Sequence, residues 1–396
     1  MMTNGRIDLG IGLYKEWKLM KYLLTGNGVN IQFDKNNYTT QQIVLRILQN
    51  CDRDDFPRHI IVDNPCILKN YLGKLYLEAR ELIAGNYDKY VTCSAERDSL
   101  QAFKEQYNSK IQTLRITDIG FEDYYLIHDL VCHKHKMGNP ERFYSKEAMR
   151  VAYLMAVYND GKLNALHDLY PNKFCTYLSE FDTIFTTNYD SNIDEVVSSE
   201  VIHIHGQFDK LSAVYDADSF RNKLPDCPIK ETPVDKNYWY LYSNALTTHC
   251  GKYKEFQIKK APLANEAIEK MAAAYTTDIN IRTQVDSWTH EKNIVLANMG
   301  YAIQLKSVHP EWKFSEDYHF DKLRSVTGEL QILGLSPWND FHIFETIDAT
   351  LLSSCVYYFY SEEQCKRVKQ LLPKLCSAGK ISFLPVNDFW RQMYEE

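Results

Sequence analysis

Four short apolar runs stop abruptly at a glycine or a polar turn, with long stretches of chain between most of them. They are KYLLTG at 21–26, TIFTTN at 183–188, VIHIHG at 201–206 and LQILGLS at 330–336. Runs so short and so continuously apolar read as strands buried on both faces, the habit of a parallel sheet covered by helices. VYYFY at 356–360 and ISFLPV at 381–386 extend the series, and HIIVD at 59–63 reads as a further short strand. After the first run comes a polar turn and then TTQQIVLRILQN at 39–50, where Thr39 or Thr40 can cap a helix. The expected fold class is therefore α/β, a Rossmann-like parallel sheet with large, mostly helical insertions. Its sheet core draws on about 20–64, 181–210 and 328–396 of the 396 residues, with a helical insertion at 65–180 and a second, mixed or helical one at 211–327. Within the first insertion, segments 68–84, 121–136 and 145–159 space apolar residues three and four apart, as helices that pack on one another do. The most loop-like part of the second is LPDCPIKETPVDK at 224–236.

Charge and cysteine usage exclude several classes. A net charge of −7 with no long basic run argues against direct nucleic-acid binding, which draws its affinity from phosphate neutralisation. The most basic stretch, GKYKEFQIKK at 251–260, reads as a solvated helix face or an edge strand. No apolar run approaches the roughly 20 residues of a membrane span, and residues 1–20 lack a signal peptide's apolar core. Met20, directly before the first strand, is a possible alternative start. Ten cysteines stand singly with no C-x-x-C pair, which points to reduced thiols and a cytoplasmic location. The 28 tyrosines are enough that many are expected to be partly exposed, which fits a sizeable interface with another subunit.

The chemistry-bearing residues fall where predicted strands end, which is where open parallel sheets bind ligands. Gly26, Asn27, Gly28 and Asn30 follow the first strand, and glycines there let backbone N–H groups approach a phosphate. Ile31 occupies the place where the dinucleotide fingerprint wants a small residue, which weakens a dehydrogenase reading. Thr187, Asn188 and Asp190 close the second run, where a plain Asn/Asp turn would also explain them. In the third, alternation puts Ile202 and Ile204 on one face and His203 and His205 on the other. Two such histidines can be metal ligands, but no third ligand is apparent beside them. CHKH at 132–135 is a separate, weak metal candidate, and no metal site is expected.

The order of these segments resembles the SIR2 (sirtuin) family, whose pattern runs from a GAGxS loop to a TQNxD segment and then an HG segment. Here the segments read GNGVN, TTNYD and HIHG, and GLS at 334–336 stands in the place of the family's late G-[ST]-S strand end. PWNDFHI at 337–343 is similar to the version in bacterial SIR2-like defence proteins. The resemblance implies NAD as substrate, with Gly26, Asn27, Gly28, Asn30, Thr187, Gly334, Ser336 and Asn339 along the dinucleotide. It also implies Asn188 at the nicotinamide ribose, Asp190 orienting that site, and His205 acting on a ribose hydroxyl or a water. The four-cysteine zinc site of deacetylating sirtuins is missing, so no zinc is expected, and IQFDKNNY replaces their GIPDFR-like stretch. Water is then the simpler acceptor. The implied activity is NAD hydrolysis to nicotinamide and ADP-ribose in antiphage defence, by a homo-oligomer, with a HerA-type ATPase as a possible partner. An ADP-ribosyltransferase or deacylase and a non-catalytic NAD sensor are the alternatives. LLTGNGVNIQF is also similar to the N-terminal loop of AbiH-type abortive-infection proteins.

Overall fold

Each predicted strand that can be followed is a strand, though β3 ends at His203, before Gly206 is reached. The computed structural model describes residues 19–57, 64–138, 141–212, 214, 236–249, 251–259, 261–291 and 294–395. The strands are β1 (Lys21–Thr25), β2 (Thr183–Thr186), β3 (Glu200–His203), β4 (Glu329–Leu333), β5 (Ser354–Phe359) and β6 (Ile381–Pro385). HIIVD at 59–63 lies outside the described residues, as does nearly all of the loop-like segment 224–236.

All six pair in parallel, in the order β3-β2-β1-β4-β5-β6. That is the Rossmann-like order, with a reversal between β1 and β4. Parallel strands need covered faces, and alternation along the strands supplies two. Leu23, Ile184 and Leu333 join one apolar cluster with Phe174 and Trp390. Leu24, Phe185, Ile202 and Ile332 join the opposite one with Ile343 and Phe344. The chain after β1 enters the first cluster at Val29, whereas the helix after β4 (Phe341–Asp348) enters the second. The two connections therefore leave on opposite faces, and a crevice opens between them.

A third and larger core lies outside the sheet. Helices Thr40–Asn50, Pro65–Ile83, Ser94–Tyr107, Asp123–His135 and Glu141–Tyr158 pool their apolar faces there with Tyr189, Phe208 and Tyr240. Thr39 caps the first of them, its hydroxyl accepting from the Gln42 N–H at 3.4 Å. Asp123–His135 is buried along ten successive residues, more than the half-buried face that apolar spacing implies. Tyrosine is a core residue here. Tyr38, Tyr87, Tyr124, Tyr125, Tyr153 and Tyr357 are among the largest fully buried side chains, while others, such as Tyr144, Tyr301, Tyr360 and Tyr394, are exposed as expected. A hydroxyl with a partner can be buried: Tyr124 donates to the Ile116 carbonyl at 2.8 Å, and Tyr87 bonds to Glu78. Among the described residues, no helix is long and apolar enough to cross a membrane, and no cysteine is in a disulfide.

Candidate functional site

At the reversal, two glycine loops interlock backbone to backbone. Gly26 N–H donates to the Leu333 carbonyl at 3.1 Å, and Gly28 N–H donates to the Gly334 carbonyl at 2.9 Å. Neither loop has room for a side chain. A Cβ on Gly28 would lie 2.5 Å from Gly334 Cα, and one on Gly334 (φ +74°) would lie 2.7 Å from the Val29 nitrogen. The crevice floor is thus bare main chain, over which a ligand can lie close to peptide groups.

The residues after β2 form a buried polar net. Asp190 accepts from Asn30 Nδ2 at 2.7 Å and from Asn192 Nδ2 at 2.6 Å, and so ties the β1 loop to the β2 loop. Burial raises the Asp190 carboxyl above its usual value, with those amides opposing the shift. The Asn188 amide makes a long 3.4 Å hydrogen bond to the Gly26 carbonyl. His203 Nδ1 donates to the Asn188 carbonyl and Nε2 donates to Asp194, each at 3.0 Å. With both ring nitrogens donating, the imidazolium is favoured: burial lowers the His203 pKa, but Asp194 outweighs it and the net shift is upward.

The two histidines of HIHG part company because β3 ends at His203. Ile204 and His205 already lie in the turn that Gly206 (φ +77°) closes, with Gly206 N–H donating to the His203 carbonyl at 3.0 Å. Ile202 and Ile204 still share one apolar cluster, as alternation implies. His205 instead faces His342, whose ring is nearly parallel at a centroid distance of 6.0 Å. His205 Nε2 and both His342 ring nitrogens are buried with no hydrogen-bond partner. Burial holds both imidazoles well below the usual histidine range, with Lys254 adding to the effect. Asp340 completes the group, its carboxyl pushed up to about 7 by burial. Lys254 is 1% exposed and donates to Glu122 at 2.7 Å. The basic stretch 251–260 is therefore no solvated face at this position: Lys254 turns inward from helix Lys252–Lys259 because a buried carboxylate meets it.

His205, Asp340 and Lys254 open onto one cavity of about 920 Å³, lined from the C-terminal side of the sheet and by Tyr38, with Tyr107 and Glu122 of the first helical insertion closing it over. His342, fully buried, is not part of the lining. Asn27, Gly28, Asn30, Thr187, Asn188, Asp190, His205, Gly334, Ser336 and Asn339 all line it, and Gly26 backs it through its bond to Asn188. Sequence reasoning did not find Lys254, Glu122, Asp340 and His342 as site residues. DFHI at 340–343 held a signal, an acid and a histidine two apart just past a strand end. CHKH at 132–135 does not converge: Cys132 Sγ lies 3.7 Å from Met137 and 3.7 Å from His128 Nε2, while His133 bonds the Tyr90 carbonyl. Compared with protein-family models, curated proteins and solved structures, the chain matches none.

Proposed function

We propose that this chain is a SIR2-like NAD glycohydrolase, cleaving NAD to nicotinamide and ADP-ribose. The observation that carries the reading is convergence. Segments about 310 residues apart in sequence, each matched to a different part of NAD by the resemblance, open onto one cavity at the β1/β4 reversal. Its volume of about 920 Å³ suits a dinucleotide-sized ligand. In this reading the bare glycine floor carries the pyrophosphate, and Ser336 and Asn339 lie toward the adenosine. Asn188 and Asp190 then meet the nicotinamide ribose.

The C1′–N bond breaks with its electron pair passing to the nicotinamide nitrogen, cancelling that ring's positive charge. Water adds to the oxocarbenium-like carbon and loses a proton. Positioning and electrostatic support can carry most of such a reaction, because no covalent intermediate is needed. His205 lines the cavity and is neutral, so its ring can accept a proton from a ribose hydroxyl or the water, although burial makes it a weaker base than a histidine poised near neutrality. We further propose a homo-oligomer acting in antiphage defence, with a HerA-type ATPase as the partner.

The test is nicotinamide release from NAD by the purified chain, alone and with such an ATPase, beside Asn188→Ala and His205→Ala. Both variants should lose roughly a hundredfold or more in rate. NAD that binds but is never cleaved would move the protein to the sensor reading. A monomer fully active alone would overturn control by assembly.

A further inference from the structure

We propose that His205, Asp340 and His342 form a binding site for one first-row divalent transition-metal ion, in the wall of the cavity. One donor atom from each residue lies within 4.8 Å of the other two, in a group gathered from the turn after β3 and the start of helix Phe341–Asp348. Two imidazoles and a carboxylate are a donor set that suits zinc, iron, cobalt or manganese. A tetrahedral ion with nitrogen ligands needs donors roughly 3.3 Å apart, so the three side chains must close in on the ion when it binds.

The second observation is the state of the nitrogens. Buried polar atoms are nearly always partnered, and an orphan calls for an explanation such as a bound ion or water. Here three ring nitrogens on two facing histidines are orphaned together, and His342 is 0% exposed. Both rings are held neutral by burial, so their lone pairs are available to a cation. Lys254 is close enough to act on all three residues, but its ammonium is held by Glu122 at 2.7 Å, so that pair adds little net charge. The backbone is fixed where it matters. Gly206 cannot take a side chain, since a Cβ would lie 2.3 Å from the Asn244 carbonyl oxygen, and the Leu246 N–H pins the His205 carbonyl at 2.9 Å. Three protein ligands leave coordination positions for water or for an oxygen of whatever occupies the cavity. With the ion bound His205 is a ligand, and its role as proton acceptor belongs to the metal-free chain.

The site stands whether or not the cavity takes NAD, and the experiment keeps the two apart. The full chain is stripped with chelator and dialysed against Co²⁺ or Zn²⁺, and bound metal is measured by mass spectrometry. Wild type and Asn188→Ala should both take up about one ion per chain. Asp340→Asn and His342→Gln, checked for folding by circular dichroism, should lose roughly tenfold or more in affinity. The Co²⁺ form should show weak visible bands without the intense thiolate charge-transfer band of cysteine ligation, a readout that needs no variant. Wild type with no bound metal, unchanged loading in both variants, or a thiolate band would each overturn the site. None of these outcomes bears on nicotinamide release, and loss of hydrolysis in Asn188→Ala with metal retained would confirm that the two are separable.

Discussion

A methyl group on Gly28 would strike Gly334 Cα at 2.5 Å and the Gly334 carbonyl oxygen at 2.9 Å. Both are backbone atoms of a neighbouring strand end, so neither can rotate away. Gly28→Ala should therefore destabilise the chain by about 1–3 kcal/mol. Gly334→Ala should cost about 1 kcal/mol more, because its φ of +74° is itself unfavourable to a side chain. Gly73 is the control. It sits in helix Pro65–Ile83, where an added Cβ meets nothing within 4 Å, and Gly73→Ala should stabilise by about 1 kcal/mol. Urea midpoints of the three variants check the ordering. Equal midpoints for Gly28→Ala and wild type would mean that the two loops do not interlock.

Between elements, the Lys254–Glu122 pair joins helix Lys252–Lys259, from the second insertion, to the start of helix Asp123–His135 in the first. Lys254→Met alone leaves a buried carboxylate without its cation and should cost about 3–5 kcal/mol. Lys254→Met with Glu122→Leu should cost less than either single change, since no charge is then stranded. A double-mutant cycle by chemical denaturation measures this, and additive losses would deny the coupling. The strands were legible in the sequence because a parallel strand buried on both faces is a continuous apolar run: β1, β2 and β6 fall inside the runs read at the start, and β3, β4 and β5 begin one or two residues before theirs. Their turn residues were legible for the same reason, as polar groups interrupting those runs. What was not legible depends on which strands become neighbours. Asp340 and His342 follow β4, whereas His205 follows β3, and nothing local says that the turn after β3 meets the start of the helix after β4. Nor could periodicity show that β3 stops at His203, because the turn is set by Gly206 and its fit against Asn244. Lys254 was misread for a related reason: a lysine among lysines looks solvated until a carboxylate some 130 residues away is placed beside it.

For the molecule as a whole, two buried aspartates of the same helix set opposite limits on stability. Asp129 is 1% exposed and meets Arg142 at 2.9 Å, Lys146 at 3.5 Å and His249 at 3.9 Å, with His128 beside it. Burial alone would raise its carboxyl, but these cations outweigh it and the net shift is well downward. A carboxyl lowered in the folded state gives stability that is present above its unfolded value near 4 and is lost as pH falls below that. Asp123 runs the other way. Burial raises it to about 6, Glu122 adds to the rise, and the Tyr107 hydroxyl and Lys254 oppose it. Its contribution is full below pH 4 and is lost as pH climbs through about 6, at a cost of about 3 kcal/mol by neutrality. Asp123 should therefore add stability as pH drops from 7 toward 5, against the loss that His205 and His342, held neutral by burial, bring over the same range. Asp129 should give a steep fall below 4. Asp123→Asn keeps an oxygen for the Tyr107 hydroxyl but cannot ionise, so the stability difference between wild type and variant should change between pH 5 and 7 while the acid limb stays in place. Urea unfolding across pH 3–8 for both proteins is the measurement. Parallel curves from pH 5 to 7 would show that Asp123 is not the group that titrates there, whereas a lost acid limb in the variant would mean that the two carboxyls of this helix are coupled rather than independent.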